Sequence, residues 1–135
     1  MALRYLLDTD ICIYIRVRKP SNVLARFEQL EAGDSGMSAI TYGELSYGAM
    51  KAAETERGLS DLGRLAMLIP VLPMPQSAGE TYGTIRVALE RKGEIIGGND
   101  LWIAAHALAG NLILVTNNER EFKRVPGLKV ENWAR

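Results

Sequence analysis

Two short, mostly apolar runs constrain this chain more than anything else in it: Leu3 to Leu7 stops on Asp8-Thr9-Asp10, and Leu112 to Val115 stops on Thr116-Asn117-Asn118. Runs this short, without strict polar alternation, suit strands buried on both faces, as in a parallel sheet. Parallel neighbours cannot be joined by hairpins, so the chain between them has to supply helical crossovers. The pattern agrees. Residues 10 to 17 and 21 to 32 read as helices separated by Pro20, the second capped by Ser21 with Val23, Leu24, Phe27 and Leu30 on one face. Gly33 to Gly36 reads as a break and Met37 to Ile40 as a second strand. Helices are predicted from Thr41, around Leu59 to Ala66, over Ser77 to Lys92 and over Leu101 to Ala109. Ile69 to Met74, interrupted by Pro70 and Pro73, is at most a short edge strand, and Leu128 to Val130 follows the Pro126-Gly127 turn as a last one. Strands alternating with helices predict one α/β domain over residues 1–135, its mostly parallel sheet flanked by helices.

Composition narrows the chemistry. The chain has one Cys (Cys12) and one His (His106), which excludes an internal disulfide and deprives a zinc site of its usual ligands. Lys plus Arg and Asp plus Glu number 16 each, so no overall positive field draws in a polyanion and any nucleic-acid contact has to be local. Asp8 comes too early for a secretory apolar region, and no stretch approaches the roughly 18 apolar residues of a membrane span. The expectation is a cytoplasmic protein with no membrane contact and a reduced, structural Cys12.

Any catalysis therefore rests on carboxylates. Open parallel sheets collect function beyond the carboxyl ends of their strands. Asp8 and the Thr116 to Asn118 segment lie at two such ends, while Glu44 and Asp100 fall in the first turns of helices. Carboxylates brought together repel, their pKa values rise, and a hard cation such as magnesium or manganese neutralises them. Each residue also has a plain structural reading. Asp8, Thr9 or Asp10 can cap the helix beginning near Ile11, Thr41 and Glu44 fit a capping box, and Asn99 or Asp100 can cap the helix of Leu101. Only the coincidence of acids on one side of one small sheet favours a site. Gly33-Asp34-Ser35-Gly36 resembles a serine-protease segment without the rest of the pattern, Gly93 to Gly98 lacks the spacing of a phosphate loop, and His106 reads as a packed helix residue. Arg16, Arg18, Lys19, Arg86, Arg91 and Lys92 read as solvated faces or as a phosphate path.

Four ordered motifs carry a resemblance. Tyr5-Leu6-Leu7-Asp8-Thr9-Asp10, Ser38-x-x-Thr41-x-x-Glu44-Leu45-x-Tyr47-Gly48, Gly98-Asn99-Asp100-x-x-Ile103-Ala104-Ala105-His106-Ala107, and Leu114-Val115-Thr116-Asn117-Asn118-x-x-Glu121-Phe122 are together similar to PIN-domain ribonucleases of the VapC toxin type. The similarity runs in order along essentially the whole chain. It implies a five-stranded parallel sheet and a magnesium-dependent endoribonuclease, the toxin of a toxin-antitoxin pair, with manganese as a substitute metal and initiator transfer RNA as a candidate substrate. Asp8, Glu44 and Asp100 match the family's three principal acids and implied metal ligands. Glu121 stands near the fourth, where some relatives instead carry an Asp at the position of Asn118; Thr116 and Asn118 are supporting residues. The resemblance further implies a homodimer and a VapB-type antitoxin lying in an apolar groove and inserting an arginine among the acids, for which Ile11 to Ile15 and Leu24 to Leu30 are the candidate walls. Two other readings compete: a catalytically inactive PIN-like protein-binding module, and a haloacid-dehalogenase-type phosphatase, whose Asp-x-Asp is imitated by Asp8-Thr9-Asp10.

Overall fold

The computed structural model describes residues 2–135. Its elements follow as β1 (Tyr5–Leu7), α1 (Thr9–Val17), α2 (Ser21–Glu28), β2 (Ser35–Ser38), α3 (Ala39–Lys51), α4 (Thr55–Leu68), β3 (Val71–Leu72), α5 (Ser77–Lys92), α6 (Gly98–Ala109), β4 (Ile113–Val115), α7 (Glu119–Phe122) and β5 (Val130–Glu131). The five strands form one sheet in the order β3-β2-β1-β4-β5, and every pairing is parallel. The chain winds outward from β1 through β2 to β3, then returns to the other side of β1 with β4 and β5. That reversal places the topological switch point between β1 and β4, where an open α/β sheet leaves a crevice beyond its carboxyl ends.

The period-2 alternation of strand side chains divides the core. Leu6 and Leu114 point to one face, against Ile85 and Leu89 of α5 and Leu101, Ala104 and Ala105 of α6. Tyr5, Leu7 and Val115 point to the other, against Ile11 and Ile15 of α1, Val23 of α2 and Leu62 and Leu65 of α4. β1 is buried along its whole length, as a central strand covered on both faces must be. Among the described residues no helix is long and apolar enough to cross a membrane.

Several element boundaries differ from those the sequence predicts. β2 is Ser35–Ser38 rather than Met37 to Ile40, because Ser38 accepts a hydrogen bond from the Thr41 amide at 2.9 Å and so caps α3, which takes Ala39 and Ile40 into the helix. Gly and Ser are poor strand formers, yet all four β2 residues are buried; pairing with β1 and β3 overrides propensity. Gly36 lies tightly under Leu72: an added Cβ would meet that side chain at 2.7 Å, so Leu72 would have to shift. Gly36→Ala is expected to cost about 1–3 kcal/mol by overpacking, read as a lower urea midpoint at unchanged m-value. α2 ends at Glu28 rather than 32, where the Asp34 carboxylate accepts from the Glu31 amide and Gly33 turns the chain at φ +92°. Ser21 is inside α2, and Pro20 occupies the cap position without a side-chain bond. α6 begins at Gly98, so Asn99 and Asp100 lie in its first turn instead of capping it.

Candidate active site

The crevice is built around Asp8, the residue that follows β1 and caps α1. One carboxylate oxygen accepts from the Thr9 amide at 2.8 Å and the other from the Thr116 hydroxyl at 2.7 Å. Asp8 therefore caps α1 as the sequence expects, while its second oxygen is held at the end of β4. Thr116, fully buried at the end of β4, in turn accepts from the Asn118 amide at 2.9 Å, which fixes its hydroxyl proton toward Asp8. Burial pushes the Asp8 carboxyl up to about 7; the neighbouring Asp10 and, more weakly, Asp100 add to the rise, and the Thr116 and Thr9 hydrogen bonds oppose it.

Three further acids come from other elements. Asp100, in the first turn of α6, is raised to about 6 by burial first and then by Glu121, Glu44 and Asp10. Glu44 lies on α3, where Ser38 has displaced Thr41 from the cap, so the expected capping box does not form. Its carboxylate instead accepts from the Thr9 hydroxyl at 2.5 Å and from the Asn99 side-chain amide at 3.3 Å. Glu121, on α7, accepts from the Asn118 side-chain amide at 3.3 Å.

Asp10 is the acid that the sequence reads as a helix cap or as the second acid of the phosphatase-like Asp-x-Asp. One of its oxygens does accept the Ile11 amide at 2.7 Å, but the other accepts the Asn117 amide at 3.1 Å, and burial raises its pKa. Asp10 thus ties the start of α1 to the loop after β4 while adding negative charge beside Asp8 and Asp100. Thr9 was missed as a link to Glu44, and Asn99 likewise. The available signal was the polar composition of Asp8-Thr9-Asp10 and Gly98-Asn99-Asp100, both at predicted helix starts.

The arrangement is anionic and uncompensated. Among the described residues, the ion pairs of the molecule involve Asp34, Glu131, Glu54, Asp61, Glu90 and Glu119, and none reaches Asp8, Asp10, Glu44, Asp100 or Glu121. Also among the described residues, no three carboxylate, imidazole or thiol side chains stand close enough together to hold a metal ion by themselves. Carboxylates set apart in this way, all oxygen donors, suit a small hard cation that keeps part of its water shell. Arg16 and Arg18 line a separate cleft with Asp61 and Arg64, and Arg86 is held by the Tyr82 hydroxyl and Glu90. His106 is buried, as its packed reading requires.

Residues 5–128 match the family model described as PIN domain. The chain belongs to the PIN-domain family and is of the VapC type. It is 43% identical over 132 residues to Ribonuclease VapC2 of Haemophilus influenzae, covering 98% of this chain and 99% of that protein. With the tRNA(fMet)-specific endonuclease VapC of Shigella flexneri it shares 42% identity over 132 residues, again 98% of this chain and 99% of the relative. The crystal structure of DNA-bound VapBC from Salmonella typhimurium superposes with a TM-score of 0.90 at 40% identity, covering 97% of this chain and 98% of that one. Membership in this VapC-type family sets the haloacid-dehalogenase reading aside, and the five-stranded parallel sheet implied by the resemblance is the one observed.

Proposed function

We propose that this chain is a metal-dependent endoribonuclease, the toxin of a toxin-antitoxin pair. The observation that carries the reading is the group of five carboxylates without a basic partner at the β1/β4 switch point. The names of the VapC relatives support RNA as the substrate, and the Shigella flexneri relative makes initiator transfer RNA the first candidate. Asp8 and Asp100 would hold a magnesium ion, with Glu44 and Glu121 close by; manganese is the expected substitute. When bound, such an ion polarises the scissile phosphate and lowers the pKa of the attacking water.

The chain's own residues supply orientation. Thr9 and Thr116 direct the two Asp8 oxygens, Thr9 and Asn99 hold Glu44, and Asn118 holds Glu121, so these three acids are oriented before any ion arrives. Partners of this kind are typically worth 10- to 100-fold in metal affinity or activity. Thr9→Val, which keeps the side-chain shape and removes the hydroxyl, is therefore expected to lower cleavage by about 10- to 100-fold with an unchanged circular dichroism spectrum.

The test of the reading is incubation of the purified protein, stripped of copurifying partners, with total small RNA in magnesium and in chelator. Discrete magnesium-dependent fragments with uniform ends are expected. No fragments, or fragments equally abundant in chelator, would favour an inactive protein-binding module.

An antitoxin partner belongs to the same proposal, supported by the VapBC structure of Salmonella typhimurium. The candidate groove draws on the walls the sequence offers: Ile11 is buried in the core, but clefts lie between α1 and α4, lined by Ile15, Arg16, Arg18, Leu65 and Leu68, and between α2 and α4, lined by Phe27, Leu30, Met67 and Leu68. Exposure of Met67 at 84% and Leu68 at 62% leaves an apolar edge that a partner segment would cover. A homodimer is part of the reading too, and light scattering of the isolated chain checks it.

A further inference from the structure

Beside the acids, α3 carries a feature that hydrolysis does not use. Ile40, Glu44, Tyr47 and Lys51 follow one another at spacings of three or four along one face of the helix, with Gly43 beside them. Tyr47 is 66% exposed, and its ring has the Lys51 ammonium 5.1 Å from its centroid. Next to it is an open cleft of about 490 Å³ lined by Ala39, Ile40, Gly43, Glu44, Tyr47 and Asn99. At Gly43 the cleft is open, since a Cβ there would meet nothing within 4 Å. Glu44 and Asn99, which are hydrogen-bonded to each other at 3.3 Å, form the boundary that this cleft shares with the acidic crevice.

Resting on the ribonuclease reading, we propose that Tyr47 is a stacking platform for one unpaired RNA base next to the scissile phosphate, and that Lys51 contacts the backbone on its far side. An exposed aromatic ring with a cation beside it is the pairing that single-stranded nucleic acid uses, because every base presents a π-face and every linkage a negative charge. The cleft is open and shallow beside a helix, so it admits a splayed base and not one held in a duplex. Lys51 lies two turns beyond Glu44, about 10 Å along the helix axis, so its positive charge stands apart from the acids and does not neutralise them. Tyr47 is in this account a positioning residue: it fixes the strand and leaves the chemistry to the carboxylates.

The experiment measures binding of a fluorescein-labelled, mixed-sequence RNA octamer, single-stranded and as a blunt duplex, to wild type, Tyr47→Ala and Tyr47→Trp in chelator, with cleavage of total small RNA in magnesium run in parallel. Tyr47→Ala is expected to weaken single-strand binding roughly 5- to 100-fold, the range of one lost base stack, and to raise KM with kcat within about twofold. Tyr47→Trp should restore binding, with indole emission quenched by the octamer. Lys51→Gln should lessen the salt dependence of binding by about one contact. Unchanged octamer affinity in Tyr47→Ala overturns the subsite, whether or not the wild type cuts RNA. Binding that depends on Tyr47 in a protein that cuts nothing keeps the subsite and removes the hydrolytic reading. Tyr47→Ala that turns a dimer into a monomer and loses octamer affinity only in proportion assigns the ring to an interface between copies and also overturns the proposal.

Discussion

Asp100→Asn is expected to reduce RNA cleavage by at least about 10³-fold at equal magnesium, the rate equivalent of the several kcal/mol a correctly held metal contributes to phosphoryl chemistry. The substitution nearly preserves shape and removes the charge that Glu121, Glu44 and Asp10 now crowd. The fold should survive it, because Asp100 stands in the first turn of α6 without a capping role. Asp8→Asn should be as damaging to cleavage, and single-turnover assays on the mapped RNA product measure both. A wild-type rate in either variant would remove that carboxylate from the mechanism.

The second large effect is on stability and has the opposite sign. Asp8 holds its proton more tightly in the folded chain, at about 7, than in the unfolded chain, at the ordinary 3.8. Below about pH 4 both states are protonated and the group has no influence. As pH rises through this window the unfolded chain gives up the proton first, so metal-free stability falls, and the fall ends once pH passes 7. For a carboxyl this deeply buried the full swing is about 4 kcal/mol. In a chain of this length that corresponds to a melting temperature roughly 10 °C lower at pH 8 than at pH 4.5. Asp8→Asn should flatten the profile: its amide can face the Thr116 hydroxyl as the protonated acid does, and no charge appears on the way up. Magnesium should restore stability mainly at the high-pH end, where the ligand oxygens are bare. Melting curves in chelator across pH 4.5 to 8.5 read both effects, and a flat wild-type profile would contradict the assigned burial of Asp8.

Loss of function with gain of stability in one substitution is the signature of an acid kept for chemistry. A purely capping Asp8 would lose neither cleavage nor stability as Asn, an equally good cap, and would cost about 1 kcal/mol only as Ala.

The sheet was legible because its central strands are short apolar runs buried on both faces, and β1 and β4 lie where those runs predict. α5 matches its predicted limits for a related reason: its apolar positions recur at helical spacing up to Gly93, whose φ of +68° ends the helix. β2 was misplaced because Ser35 and Gly36 carry no strand signal; they are strand only through their neighbours, Gly36 being small enough for Leu72 to pack over it. At the site, Asp8, Glu44 and Asp100 were legible through ordered motifs, whereas their bonding was not. That Thr9 holds Glu44 across 35 positions of sequence, or that Asp10 reaches the Asn117 amide, depends on α1 and α3 opening toward the same crevice, which no local pattern encodes.

The proposed joint hold of Asp8 and Asp100 on a cation is tested most directly by anomalous diffraction from crystals soaked in manganese at pH 8, for wild type and Asp8→Asn. One strong peak is expected about 2 Å from carboxylate oxygens of Asp8 and Asp100 in the wild type, lost in the variant. A peak bound elsewhere, or one that persists unchanged in Asp8→Asn, would contradict it.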